Sequence, residues 1–139
     1  MSFRLHHTGV VVPELAPALE QYVARYGYEV CTGAIHDPTQ RAYVQFLRLP
    51  GDRVYLELVA PDGPASRLSQ AAEKGGGLHH LCYAAADLPS ACRELRERGM
   101  TLVRKAVPAV AFPGRSIAWL MGRDRVLVEL LEESSGTEL

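Results

Sequence analysis

His7-Thr-Gly-Val-Val-Val12 and His80-Leu-Cys-Tyr-Ala-Ala85 are one strand pattern written twice. Each is followed by the same Val-x-x-Glu-Leu run, at Val54-Tyr-Leu-Glu57-Leu58 and at Val126-Leu-Val-Glu129-Leu130. His80 lies 73 positions after His7, and Glu129 lies 72 after Glu57, so two independent pairs agree within one residue. The same register aligns Glu14-Leu15 with Asp87-Leu88 and Gly27 with Gly99. An internal repeat of this kind means two copies of one supersecondary unit, each carrying one His and one Glu.

At 139 residues the chain suits a single domain, residues 1–139, built from a first module of about 3–62 and a second of about 77–133. Each module alone is too small to bury much of its own surface, so the two are expected to pack on one another. Hydrophobic residues make up 47% and charged residues 22%, the balance of an ordinary globule with a core. A formal charge of −1, with 15 basic residues scattered along the chain, excludes the electrostatic footprint of a nucleic-acid binder. A small-molecule partner is the better expectation. The apolar runs are far shorter than a membrane span, and the first residues lack the plan of a signal peptide, so a cytoplasmic protein is expected. Cys31, Cys82 and Cys92 are odd in number and unpaired in spacing, and read as packed thiols in a reducing compartment.

Alternation places Leu5, His7, Gly9 and Val11 on one face of the first strand and His6, Thr8, Val10 and Val12 on the other. Residues 13–26 read as a helix, with Leu15, Leu19, Tyr22, Val23 and Tyr26 at helical spacing and Gly27 as its stop. Strands are expected over 28–32, 41–49 and 53–59, with Asp37-Pro38 and Pro50-Gly-Asp52 as turns. A short helix over 65–74 leads to Gly75-Gly-Gly77, a flexible boundary that permits the modules to come from one chain or to be exchanged between two. The second copy repeats the plan with a strand at 78–84, a helix at 88–98 and strands near 101–104, 115–121 and 126–131. The polar tail 132–139 is expected to fray. The fold class is therefore α+β, two tandem β-α-β-β-β modules.

Glu57 shares its strand face with Tyr55 and Val59, and Glu129 with Leu127 and Leu131, so both carboxylates point to an apolar side. An ionised carboxylate there is costly unless it is paired or metal-bound, and the situation arises twice at equivalent places. A single core His on a strand is ordinarily just hydrogen-bonded, but the joint repetition points to a divalent-metal site of His7, Glu57, His80 and Glu129. Two imidazole nitrogens and two carboxylate oxygens suit Zn, Co, Ni, Mn or Fe(II), which the sequence does not distinguish, rather than soft copper. By parity His6 and His79 face the opposite way.

The motifs His7-x-Gly-x-x-Val, Glu57-Leu-x-x-Pro61, Gly-Gly-Leu-His79-His80-Leu, Asp87-Leu and Leu-Val-Glu129-Leu resemble the signature of the vicinal oxygen chelate superfamily, which includes glyoxalases, bleomycin resistance proteins and dioxygenases. Within it the chain is most similar to methylmalonyl-CoA epimerase-like proteins, over nearly its whole length. The resemblance implies an open, cupped mixed sheet around a divalent ion, with His7, Glu57, His80 and Glu129 as ligands. It departs from that family at Ala106–Gly114, which is more apolar and proline-stiffened than the epimerases' Gly-rich stretch, and at Ala34–Arg41, which lacks their acidic run.

Such a site implies a metal-dependent isomerase or epimerase that abstracts a proton next to a thioester or ketone, with Glu129 as base and Glu57 placed to return the proton. The substrate would be a small molecule such as an acyl-CoA. His36 and Arg115 are candidate substrate-binding residues, Arg115 in a lid formed by Phe112-Pro-Gly-Arg115 and facing an anionic group. Tyr43, Phe46 and Trp119 read as core. Alternatives are a glyoxalase I-type lyase, an Fe(II) dioxygenase, and a non-catalytic drug or metabolite binder, the last typically lacking the ligands this chain keeps. Exposed sheet edges predict a homodimer.

Overall fold

The computed structural model describes residues 2–134 and 139. Nine strands and three helices are found among them, in the order β1 (Arg4–Val11), α1 (Leu15–Tyr26), β2 (Glu29–Val30), β3 (Ile35–Asp37), β4 (Ala42–Arg48), β5 (Tyr55–Pro61), α2 (Ser69–Glu73), β6 (Gly77–Ala85), α3 (Leu88–Glu97), β7 (Thr101–Pro108), β8 (Ser116–Met121) and β9 (Leu127–Glu132). The chain divides into two compact units, His7–His79 and a second made of Met1–His6 with His80–Leu139.

In the His7–His79 unit the strand path is β2-β4-β5-β1, with β3 also on β4. β1 and β5 run parallel, and the other pairs are antiparallel. Period-two alternation then sorts the side chains. One face sends Val12, Leu47, Leu56, Leu58 and Ala60 against Leu15, Ala18, Leu19 and Tyr22 of α1. α1 ends where sequence predicts: Gly27 takes the left-handed conformation, φ 78°, and its N–H donates to the Val23 carbonyl at 3.0 Å. The other face is also buried. β5 is enclosed from Tyr55 to Ala60, so Tyr55, Glu57 and Val59 lie in the interior as well.

The second unit follows β6-β9-β8-β7, again with one parallel pair, β6 with β9. Ala85, Ala118, Leu120, Val128 and Leu130 pack on Leu88, Ala91 and Leu95 of α3. Asp87 caps α3, its side chain accepting from the Ser90 N–H at 3.0 Å, which satisfies one of the helix's otherwise unpaired donors. Both units thus repeat a strand, a helix and an antiparallel set of strands, the α+β plan expected from the duplication.

Four expectations need correction. Residues 35–37, read as the approach to a turn, form β3, because Ile35, His36 and Asp37 pair with Val44, Tyr43 and Ala42. β7 continues to Pro108 through two register irregularities instead of stopping near 104, since β8 supplies partners along that length. Gly75-Gly-Gly77 is not merely a flexible tether. All three residues have positive φ, and a Cβ at Gly76 would come within 2.9 Å of the Val11 carbonyl carbon and closer still to its oxygen. Of the tail expected to fray, 132–134 are tied down: Glu132 ends β9, Glu133 N–H donates to the Ala85 carbonyl at 2.9 Å, and its carboxylate meets Arg4 at 2.6 Å. Residues 135–138 lie outside the described residues.

Candidate metal and acid–base centre

In the His7–His79 unit, His7 is opposite Tyr55 and Gly9 is opposite Glu57. His7 therefore reaches Glu57 on the diagonal, over the space left by the missing Gly9 side chain, and Nε2 lies 3.4 Å from Oε1. In the second unit Cys82 is opposite Glu129, and His80 reaches Glu129 on the same diagonal, Nε2 to Oε1 3.5 Å. The four side chains are almost entirely buried, at 0% exposure for His7, 6% for Glu57, 2% for His80 and 4% for Glu129.

The spacing within each pair is informative. It is long for a charge-assisted hydrogen bond, which runs about 2.7–2.9 Å. Two ligand atoms each about 2.1 Å from one ion and about 109° apart would be ~3.4 Å from one another. The donor set and its spacing fit a bound divalent ion better than a simple ion pair, and each unit holds a His–Glu pair that could contribute to a metal site.

Both imidazoles are held by an aromatic edge-to-face contact from the neighbouring antiparallel strand. Phe46, opposite Glu57 on β4, stacks on His7 with centroids 5.2 Å apart and planes at 79°. Trp119, opposite Glu129 on β8, does the same to His80 at 5.0 Å and 80°. Phe46 and Trp119, core residues by sequence, are buried, and their placement also fixes the ring planes of the two histidines. Their equivalence at an offset of 73 was visible in the sequence and is the signal that could have found them.

His6 and His79 lie off this pattern. His6 is fully buried and packs edge-on against Phe112 of the 109–115 loop, centroids 5.3 Å apart. Phe112 is itself 5% exposed, so the segment expected to act as a lid is anchored in the core of its unit. Arg115 donates from Nε to the Glu132 carbonyl at 2.8 Å and from Nη1 to the Leu139 carbonyl, with its guanidinium 5.1 Å above the Phe112 ring. Burial pushes its pKa down, opposed by Glu133. This geometry serves to hold the end of β9.

His36 pairs with Tyr43, whereas Val44 and Phe46 share the face of Val59 and Glu57. His36 therefore points away from the His7–Glu57 face. Its Nε2 is 2.9 Å from Asp62 Oδ2, Arg41 Nε donates to the same carboxylate at 3.1 Å, and its ring lies 4.7 Å from that of Tyr43. The hydrogen bond from His36 is the main reason the Asp62 carboxyl sits below its ordinary range, with Arg41 adding to it against a desolvation penalty. Asp37, on β3, is taken up by the Thr39 and Gln40 N–H groups and the Gln40 amide. Cys82 is buried and Cys92 half-buried, its thiol pKa raised by burial, but Cys31 is exposed and is not the packed thiol expected.

No helix among the described residues is long and apolar enough to cross a membrane. The family model for the glyoxalase/bleomycin resistance protein/dioxygenase superfamily matches residues 6–119. The ethylmalonyl-CoA/methylmalonyl-CoA epimerase of Cereibacter sphaeroides is 35% identical over 132 residues, spanning 91% of this chain and 96% of that protein. Among solved structures, methylmalonyl-CoA epimerase from Mycobacterium tuberculosis superposes with a TM-score of 0.81 at 28% identity, covering 94% of this chain and 87% of that one. A methylmalonyl-CoA epimerase in complex with methylmalonyl-CoA and NH4+ gives 0.81 at 25% identity, with 97% of each chain covered. The fold is that of the methylmalonyl-CoA epimerases, and the chain belongs to the glyoxalase/bleomycin resistance protein/dioxygenase superfamily.

Proposed function

We propose that this protein is a metal-dependent epimerase that inverts the carbon next to the thioester of an acyl-CoA, with methylmalonyl-CoA or a close relative as substrate. The observation that carries this reading is the buried His–Glu pair present once in each repeat, in a chain whose relatives are named epimerases and one of which is solved with methylmalonyl-CoA. His7, Glu57, His80 and Glu129 would together hold one divalent ion. When bound, such an ion supplies electrostatic stabilisation of negative charge on the thioester oxygen, lowering the cost of removing the neighbouring proton.

The chain's own groups do the proton work. Glu129, loosened from its ligand role, takes the α-proton, leaving the electron pair on the enolate, and Glu57, likewise loosened and protonated, returns a proton to the opposite face of the carbon. The stereocentre is inverted, one carboxyl gains a proton and the other loses one, and the reverse reaction or exchange with water resets them. Two carboxylates at equivalent positions of a repeat suit this exchange of roles. Phe46 and Trp119 keep the imidazoles oriented, and the apolar neighbours Val59 and Leu131 keep water from the enolate. The scheme gives no step to Arg115, whose Nε and Nη1 donate to the Glu132 and Leu139 carbonyls, or to His36, which pairs with Asp62.

The test is proton NMR of methylmalonyl-CoA in deuterated water. The α-hydrogen should wash out with the metal-loaded enzyme at a rate comparable to epimerisation. Glu129→Gln should abolish exchange while keeping some metal, because an amide coordinates weakly through oxygen but does not accept the proton. Dioxygen uptake without α-exchange in the iron-loaded protein would replace this reading by oxygenase chemistry. We also propose a homodimer, on the ground that α1 contains no fully buried residue and that Val23 and Tyr26 on it, and Val30 on β2, are exposed. Light scattering that gives a monomer at high micromolar concentration would contradict it.

A further inference from the structure

Charge divides unequally between the two repeats. Residues 98–125 hold six Lys or Arg against one acid, Asp124, in a chain whose net charge is −1. Their counterparts at an offset of 73, residues 25–52, hold three Arg against three acids. Five of the six cations, Arg98, Arg104, Lys105, Arg123 and Arg125, are exposed, and the sixth, Arg115, is turned onto the Glu132 carbonyl. Arg98 is paired with Glu94 at 2.6 Å. Thr101 is opposite Met121, so the turn that carries Arg123 and Arg125 stands beside the first residue of β7, the strand that carries Arg104 and Lys105. One edge of the second unit therefore has a cationic margin.

Register ties that margin to the acid–base face of the same unit. Arg104 is opposite Trp119, Trp119 is opposite Glu129 and stacks on His80, so Arg104 ends a row that runs over three strands to the candidate base. Strands about 4.8 Å apart put the Arg104 and Glu129 backbones roughly 10 Å apart. Pairing irregularities flank Arg104 on both sides, and Val103 to Ala106 are all exposed, so these side chains stand open to solvent. A charge on an edge strand also blocks pairing with another sheet. That purpose accounts for Arg104 and Lys105 but not for the arginines of the adjoining turn, and cations massed in this way attract anions. At the counterpart of Arg104 the first repeat has Cys31, beside Phe46, and no cation.

We propose that Arg104 and Lys105, with Arg123 and Arg125 beside them, receive the phosphates of the CoA moiety, so that an acyl-CoA lies with its acyl group at Glu129 and its nucleotide over the β7 edge. This rests on the acyl-thioester reading above and adds to it a binding direction and the residues that set it. An extended pantetheine arm is longer than two strand spacings, so a CoA whose reacting carbon lies beside Glu129 carries its phosphates to β7 or past it. Guanidinium groups match phosphate oxygens in geometry and charge. The first repeat, neutral over the equivalent residues, offers no such attraction, which gives a duplicated fold one way round for its substrate.

The experiment is calorimetric titration of the purified protein with racemic methylmalonyl-CoA and with the racemic methylmalonyl thioester of N-acetylcysteamine, which lacks the nucleotide. The native protein should bind the CoA ester more tightly by about tenfold or more, the worth of a hydrogen bond to a charged group. Raising the salt from about 0.05 M to about 0.5 M should shrink that gap, because exposed charges are screened. Arg104→Glu combined with Lys105→Glu should erase the preference at an unchanged melting temperature, with the short thioester bound as before. Arg104→Gln with Lys105→Gln takes its place should the reversed variant not fold. Arg67→Glu, which reverses an exposed cation of the first unit, should leave the preference intact. A native protein without the preference, or a preference that survives the reversal, overturns the proposal. So does an equal loss for both thioesters, since the cations would then act at the acyl end or on the fold, and so does an equal loss in Arg67→Glu, the charge effect then being general. Nucleotide discrimination without α-hydrogen exchange would instead refute the epimerase reading and leave the β7 edge standing as a CoA site.

Discussion

Gly76→Ala tests whether the glycine triplet is a hinge or a fitted part of the first unit. Gly75, Gly76 and Gly77 have φ of 99°, 85° and 132°, so an L side chain at any of them is strained. For a non-glycine residue the left-handed region costs about 1–2 kcal/mol. At Gly75 that is the whole effect, since a Cβ there meets nothing within 4 Å. At Gly76 the Cβ would meet the Val11 carbonyl carbon at 2.9 Å and its oxygen closer still, against backbone that has no flexible end to swing away. Forcing the two apart should add about 1–3 kcal/mol, the range for overpacking a tight interior. For a chain of this length each kcal/mol corresponds to roughly 3–5 °C, so Gly76→Ala should melt about 3–15 °C below Gly75→Ala. Val11 lies on the strand that carries His7, so metal affinity should fall as well in Gly76→Ala and hold in Gly75→Ala. Scanning calorimetry with metal analysis on the two variants decides it. Equal melting temperatures within about 2 °C, inside the scatter of neutral surface changes, would refute the close fit at Val11.

His80→Ala should release the metal measured by elemental analysis, whereas His79→Ala, one residue off on the strand and facing the other way, should retain it; the opposite pattern would mean that the ligand register is shifted by one. The chain's single tryptophan, Trp119, stacks on His80, so its fluorescence should be quenched when the metal-free protein is titrated with cobalt(II), and His80→Ala should remove that response. The lowered pKa of Asp62 makes its ionised form stabilising in the native state, fully so above the unfolded carboxyl value near 4 and progressively lost as pH falls below it through the native value. Thermal melts from pH 7 down to pH 2 should therefore show a shallower acid loss in Asp62→Asn than in the native protein, and parallel curves would remove Asp62 from the account of acid sensitivity.

The sequence by itself determined the repeat, the helices with the Gly27 stop, the central strands and the set of four residues proposed for the candidate site. Those signals are local or periodic. Gly27 stops a helix by its own backbone preference. Alternation sets which face His7, Glu57, His80 and Glu129 share with their strand neighbours, and the two offsets then make the four equivalent. Other features depend on which strands lie side by side, and only the tertiary structure decided them. β3 exists because β4 offers it a free edge, and that same pairing turns His36 away from Glu57 and toward Asp62. Arg115, with the charge and placement of a substrate clamp in the sequence, is spent on the carbonyl of Glu132 because β9 ends beside it. Arg48 and Tyr55 are separated by a turn and look unrelated in the sequence, yet antiparallel register brings them into one row with His7. Pairing register is a non-local property, set by the burial of whole faces at once, so the partners of a side chain across a sheet are fixed only when the strands have met.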